Sequence, residues 1–157
     1  EGNFDYLGDK AHRYALQKVY ISLSYKRDMR PGDLLVIYRK GTMAGRKAYE
    51  SVVSTICVVD EVRYNFSNKE DYLKYCENRT VFSQETLNQL WEKHGEKLLV
   101  VKFIFIKSLT KRITLGELWS GGIIPQYSGP RPFDHIPDAD FDTILAKSQT
   151  KIHFERQ

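Results

Sequence analysis

A chain of 157 residues, 41% hydrophobic and 28% charged, can bury one genuine core and has the ordinary balance of a globular domain. No window approaches the roughly 18 consecutive apolar residues of a spanning helix, and the start lacks the basic-then-apolar pattern of a signal peptide. The net charge of +4 is modest but unevenly spread: seven cations (Lys26, Arg27, Arg30, Arg39, Lys40, Arg46, Lys47) stand against two anions (Asp28, Asp33) between Lys26 and Lys47.

Residues 1–16 mix Gly, Asp, aromatic residues and His without periodicity, with a turn at Gly8-Asp9 and a short helical approach over Ala11 to Gln17. They read as a linker or N-terminal extension, and the Glu1 start leads us to expect further sequence before it. Lys18 to Ser24 alternates, Val19, Ile21 and Leu23 against Tyr20, Ser22 and Ser24, which is the pattern of a half-buried strand. Pro31-Gly32 marks a turn into a strand over Leu34 to Tyr38, and Val52 to Val59 returns beside it across a basic, glycine-punctuated loop. The pair reads as a long hairpin in a barrel or sandwich. Ser54 and Thr55 place hydroxyls in its apolar second strand; such groups need partners, so a polar pocket or side-chain network is expected there.

Two helices should follow. Ser67 with Glu70 has capping-box spacing ahead of Tyr72, Leu73 and Cys76, and Asn78-Arg79 ends that helix; Ser83 with Glu85 opens a second, carrying Leu87, Leu90 and Trp91 and closing at Lys93-His94-Gly95. Leu98 to Leu109 is apolar on both faces, as a central strand is. Thr114 and Glu117 form another capping box before a short helix, Leu115 to Trp119, closed by Gly121-Gly122. A loop rich in Gly and Pro runs over 121–135, where length alone points to function or mobility. Asp138 caps a last helix with Phe141, Ile144 and Leu145, and 151–157 is a tail with strand character at Ile152 to Phe154. This order favours an α+β fold with a small barrel over a doubly wound sheet, and one domain over 17–150.

The chemistry is sparse. Cys57 and Cys76 have no CxxC and no histidine pair nearby, which favours reduced structural thiols, and with them a cytoplasmic location, over a disulfide or metal site. No His/Cys/Asp group has metal spacing, no serine sits in a nucleophile elbow, and no cofactor is called for. Gly41-x3-Gly45 fails the phosphate-loop spacing. Asp134-His135 pairs a histidine with a carboxylate in the late loop, a surface pair or a catalytic one. The cationic cluster is either the footprint of a polyanion or a set of solvated loop tips. Tyr20, Tyr25, Tyr38 and Tyr49 interleave with it, as single-strand recognition requires of stacking rings beside backbone-binding cations, and Tyr20, on a polar strand face, is the leading platform. Arg79 is a helix-end cap or a phosphate contact.

The run MRPGDLLVIYR at 29–39 followed by TICVVDEV at 55–62 resembles the PUA-like superfamily, particularly its EVE and ASCH branches, in which a PGD turn launches a strand ending in an aromatic and a polar residue. RTVFS at 79–83, the Leu98 to Leu109 strand, the Leu115 to Trp119 helix and Pro125-Gln126 are similar to PUA-like domains that lie C-terminal to acetyltransferase or PIN nuclease domains in prokaryotes. The resemblance implies a pseudo-β-barrel with flanking helices, a covalently linked N-terminal domain, and a cleft for RNA or a modified nucleobase. That cleft would draw on Ser22, Ser24, Tyr38, Arg39, Ser54, Thr55, and Trp119 or Gln126, with Tyr20, Lys26, Arg27, Lys40 and Arg79 from the charge and aromatic pattern. The chain departs from the EVE branch at Arg39-Lys40, where that branch has His-Ser. The alternatives are an ASCH-like amidohydrolase or nuclease, for which Gly45-x-Lys47-x-x-Glu50 matches part of the signature and Lys47 with Glu50 would be an acid-base pair, and a small-ligand regulatory domain of an acetyltransferase.

Overall fold

Four stretches of extended, β-branched sequence pair among the residues that the computed structural model describes, which are 17–23, 26–43, 45–77 and 82–153. β1 (Gln17–Ser22), β2 (Leu34–Arg39), β3 (Val52–Tyr64) and β4 (Leu99–Thr114) make one antiparallel sheet in the order β1-β4-β3-β2. The helices are α1 (Lys47–Glu50), α2 (Lys69–Cys76), α3 (Gln84–His94), α4 (Leu115–Ser120) and α5 (Asp138–Lys147). The class is α+β, as expected. Among the described residues the sheet stays open: β1 pairs with β4, from Gln17 opposite Ile104 to Ser22 opposite Leu99, so β1 and β2 are its two borders and no barrel closes. Residues 151–153 carry no regular structure, and Phe154, the end of the strand expected at the tail, lies outside the described residues. Among the described residues no helix is long and apolar enough to cross a membrane.

The chain divides into two compact units, and β3 and β4 supply residues to each. In the unit formed by 17–34 and Val58–Phe105, Phe66, Tyr72, Cys76, Leu87, Leu98 and Val100 make a buried cluster, with Val19, Ile21, Leu73, Leu90 and Trp91 packed against it. Tyr72 stacks on Trp91 with ring centroids 5.3 Å apart and meets the edge of Phe66 at 5.5 Å. α2 begins one residue later than the Ser67 spacing predicts. Asn68 is its cap, accepting from the Asp71 N–H at 2.9 Å, while the Asp71 carboxylate accepts from Ser67 N and is bonded to Arg63 at 2.6 Å. The Arg63 bond fixes the frame, because it anchors Asp71 and so selects the residue three positions before it as the cap. α3 follows its predicted signals, with Ser83 accepting from Thr86 N and Gly95 closing the helix at φ 47°.

β3 runs five residues beyond the predicted Val59 because its charged continuation is satisfied. Asp60 accepts from Gln17 Nε2 at 2.5 Å, Glu61 from the Tyr75 hydroxyl at 3.2 Å, and Arg63 holds Asp71. The Ser67 N–H, followed by the Arg63 hydrogen bond and charge, holds the Asp71 carboxyl below the usual carboxylate range. A carboxyl with a folded pKa below its unfolded value stabilises above the unfolded value, near pH 4, and the contribution is lost as pH falls through the folded one. Urea midpoints followed from neutral to acid pH should therefore drop less steeply in Asp71→Asn than in the parent; parallel curves would show that Asp71 gives folding no acid sensitivity.

In the unit formed by Leu35–Cys57 and 106–153, Val52, Val53, Ile56, Leu109, Ile113, Leu115, Leu118, Phe141 and Ile144 are buried. β4 outlasts the predicted Leu109 by five residues. Its exposed Thr110, Lys111 and Arg112 interrupt the apolar pattern, but the backbone remains paired: Lys111 N donates to Ser148 O at 2.9 Å and Thr110 N to Thr150 Oγ1 at 3.0 Å. The strand stops where Thr114 caps α4 with both bonds of the predicted box. α5 differs from expectation at its start. Pro137, extended at φ −61° and ψ 153°, is the cap residue without a side-chain bond, and Asp138 is the first helical residue, where its charge complements the helix dipole.

Candidate functional site

The glycine loop between β2 and β3 condenses into α1, a single helical turn that the sequence pattern does not announce, and this turn lies against α4. Two glycines allow it. A Cβ on Gly41 would fall 2.6 Å from Glu50 Cβ and 3.1–3.2 Å from the backbone of Glu50 and Ser51; one on Gly116 would fall 3.2 Å from Ala48 O. Ser51, fully buried, ties the pieces together, since its Oγ accepts from Gly41 N at 2.9 Å and its carbonyl from Leu115 N at 2.9 Å, the first residue of α4.

Between these elements opens a cleft of about 680 Å³, lined by Ala48 and Tyr49 of α1, by Thr114, Gly116, Glu117, Trp119 and Ser120 at α4, and by Gln126 and Lys147. Its polar and aromatic groups divide by availability. Glu117 Oε1 is engaged by Thr114 N and Thr114 Oγ1, both at 3.2 Å, so that carboxylate belongs to the capping box. Trp119 is fixed by its Nε1 donating to Ser128 O at 2.7 Å. Tyr127 meets the Trp119 ring at 5.6 Å and 64°. Tyr49, by contrast, is 77% exposed, and the Gln126 amide and Lys147 are also open to solvent. Lys147 Nζ lies 3.3 Å from the point a Gly121 Cβ would occupy, so glycine there leaves the ammonium its room. The cleft thus offers ring faces, an amide with both donor and acceptor, and a cation. The adjoining chain from Arg39 to Lys47 adds Arg39, Lys40, Arg46 and Lys47 without an acid, all exposed.

Of the residues expected in a binding cleft, Trp119 and Gln126 line this one, and Tyr38, Arg39, Lys40, Ser54 and Thr55 belong to the same unit. The hydroxyls of Ser54 and Thr55 lie 3.2 Å apart in a mutual hydrogen bond, and neither residue lines the cleft. Tyr20, Ser22, Lys26 and Arg27 belong to the other unit. There Ser22 is buried and Tyr20 is exposed, whereas Arg27 has a structural engagement: Nη2 donates to Lys97 O at 3.1 Å and the guanidinium lies 5.1 Å over the Tyr64 ring. Ser24 and Arg79 fall outside the described residues. Sequence reasoning named Tyr49 only among the interleaved tyrosines and passed over Lys147. The first has a local signal, an aromatic inside a basic glycine loop, while the second is an ordinary C-terminal helix lysine until the fold carries it to α4.

Other chemistries find less support. Glu50 pairs with Arg46 at 3.9 Å, so the proposed Lys47 partner has another cation beside it. The Asp134 carboxylate closes a turn by accepting from Arg131 N at 2.8 Å. Cys57 and Cys76 are buried free thiols, each pushed up to about 11 mainly by burial, and both remain protonated at neutral pH. Among the described residues no three His, Cys, Asp or Glu side chains group as a metal site would need. Compared with known proteins, the chain matches no family model, no curated protein and no solved structure.

Proposed function

We propose that the unit containing α1 and α4 binds nucleic acid, as RNA or as a nucleobase-bearing ligand, within a larger protein, and that residues 17–150 together are a PUA-like domain. The observation that carries this reading is the pairing of an aromatic, amide-bearing cleft (Tyr49, Trp119, Gln126) with the acid-free cationic run Arg39, Lys40, Arg46 and Lys47. A base needs a π-face and an edge partner, and its phosphates need cations beside them. The PGD turn supports the family reading: Gly32 takes φ 96°, and Gly32 N and Asp33 O exchange bonds of 2.8 Å with Val59, which launches β2 beside β3.

The test is the salt dependence of binding to a single-stranded RNA. Arg39→Ala with Lys40→Ala should weaken binding and reduce the slope of log affinity against log salt by roughly 0.7 per lost phosphate contact. An unchanged slope removes Arg39 and Lys40 from the interface.

A further inference from the structure

The loop after α4 holds a side chain in a conformation that its own chemistry opposes. Ser128 N donates to Pro125 O at 3.0 Å, closing a turn in which Gln126 and Tyr127 are the two central residues. Tyr127, the second of them, has φ 64°. That is the position and the sign of φ for which such turns select glycine or asparagine, and a bulky aromatic there is strained. Strain of this kind is ordinarily offset by burial, yet Tyr127 is 82% exposed, more than any other large hydrophobic side chain among the described residues. The fold gains one edge-on ring contact with Trp119, itself already pinned to Ser128 O.

We propose that Tyr127 is the stacking platform for a base of single-stranded nucleic acid, with the adjacent Gln126 amide facing the base edge; this rests on the reading of the cleft given above. The strained turn holds the ring against Trp119 of the cleft by one edge-on contact and leaves the rest of it in solvent, and a planar ligand supplies the contact area that the free protein lacks. The occupant is single-stranded because a duplex keeps its base faces against one another. It is a nucleic acid in preference to an acidic peptide because a nucleic acid brings to one site both the anions that suit the cationic run and the ring faces that suit an exposed aromatic.

The experiment uses the full chain with a fluorescent single-stranded oligoribonucleotide, a duplex of the same length and polyglutamate, titrated against the parent, Tyr127→Phe and Tyr127→Gly. Tyr127→Gly should hold or raise Tm, because glycine relieves the turn, while weakening single-strand binding about ten- to a hundredfold with an unaltered salt slope. Tyr127→Phe should bind as the parent does. A lower Tm for Tyr127→Gly assigns the residue to folding and overturns the proposal; so does parent-like affinity in that variant, or duplex or polyglutamate binding as tight as the single strand. A parent chain that binds no oligonucleotide defeats the cleft reading itself, whereas salt-dependent parent binding with an indifferent Tyr127→Gly defeats only the role of this residue.

Discussion

Tyr72→Ala should lower the stability of its unit by about 3–5 kcal/mol, the cost of removing a large buried aromatic from a packed core. Tyr72 is 0% exposed, is stacked on Trp91 and meets Phe66 edge-on, so its loss strips contacts from both rings. The hydroxyl should behave in the opposite way. It is buried and has no hydrogen-bond partner among the described residues, and burial raises the phenol pKa so that it stays neutral. Leaving a buried hydroxyl unpaired costs about 1–3 kcal/mol. Tyr72→Phe should therefore be neutral or stabilising. Urea denaturation of the two variants beside the parent decides it: a Phe variant destabilised by more than about 1 kcal/mol would mean that the oxygen does have a partner in solution.

The second large effect is expected at Gly41. An alanine there places its methyl 2.6 Å from Glu50 Cβ, with backbone atoms at 3.1 and 3.2 Å, so no flexible side-chain end can give way. The hairpin loop must open, which strains the Ser51 bridge and moves α1 from α4. Overpacking of this sort costs about 1–3 kcal/mol, and oligonucleotide affinity should fall with it because Tyr49 and Ala48 form one wall of the cleft. Gly45→Ala is the control: nothing lies within 4 Å of its Cβ, and only its φ of 80° resists. Paired denaturation and binding titrations in which Gly41→Ala is no worse than Gly45→Ala would show that the loop does not hold the cleft's shape.

Legibility followed the range of the interactions. Capping is local, and the spacing at Ser83 and at Thr114 with Glu117 yields the observed helix starts directly. It fails at Ser67 because Arg63, outside the helix, claims Asp71 and selects Asn68 as the cap. Strand ends depend on what neighbouring chain offers. Asp60, Glu61 and Arg63 end the apolar run at Val59 in sequence, but Gln17, Tyr75 and Asp71 engage their side chains and β3 continues to Tyr64. Barrel closure was the least accessible expectation, since alternation in β1 says which residues point inward and nothing of which strand it joins. For the cleft, Trp119 and Gln126 entered through the family resemblance, one at the end of a short helix and the other in the loop that follows it. Lys147 and the wall of α1 exist only through long-range packing, and of the two expectations for Ser54 and Thr55, a polar pocket or a side-chain network, the hydroxyls meet the second by bonding to each other.

Ser51 has a bearing on when the cleft comes into being. Its hydroxyl is engaged by a chain neighbour ten positions away, but its carbonyl waits for Leu115, which emerges far later during synthesis. Closing so long an excursion is slow relative to forming a hairpin. Newly made chains should accordingly pass through a stage in which the hairpin and its cations are present while the cleft has yet to form.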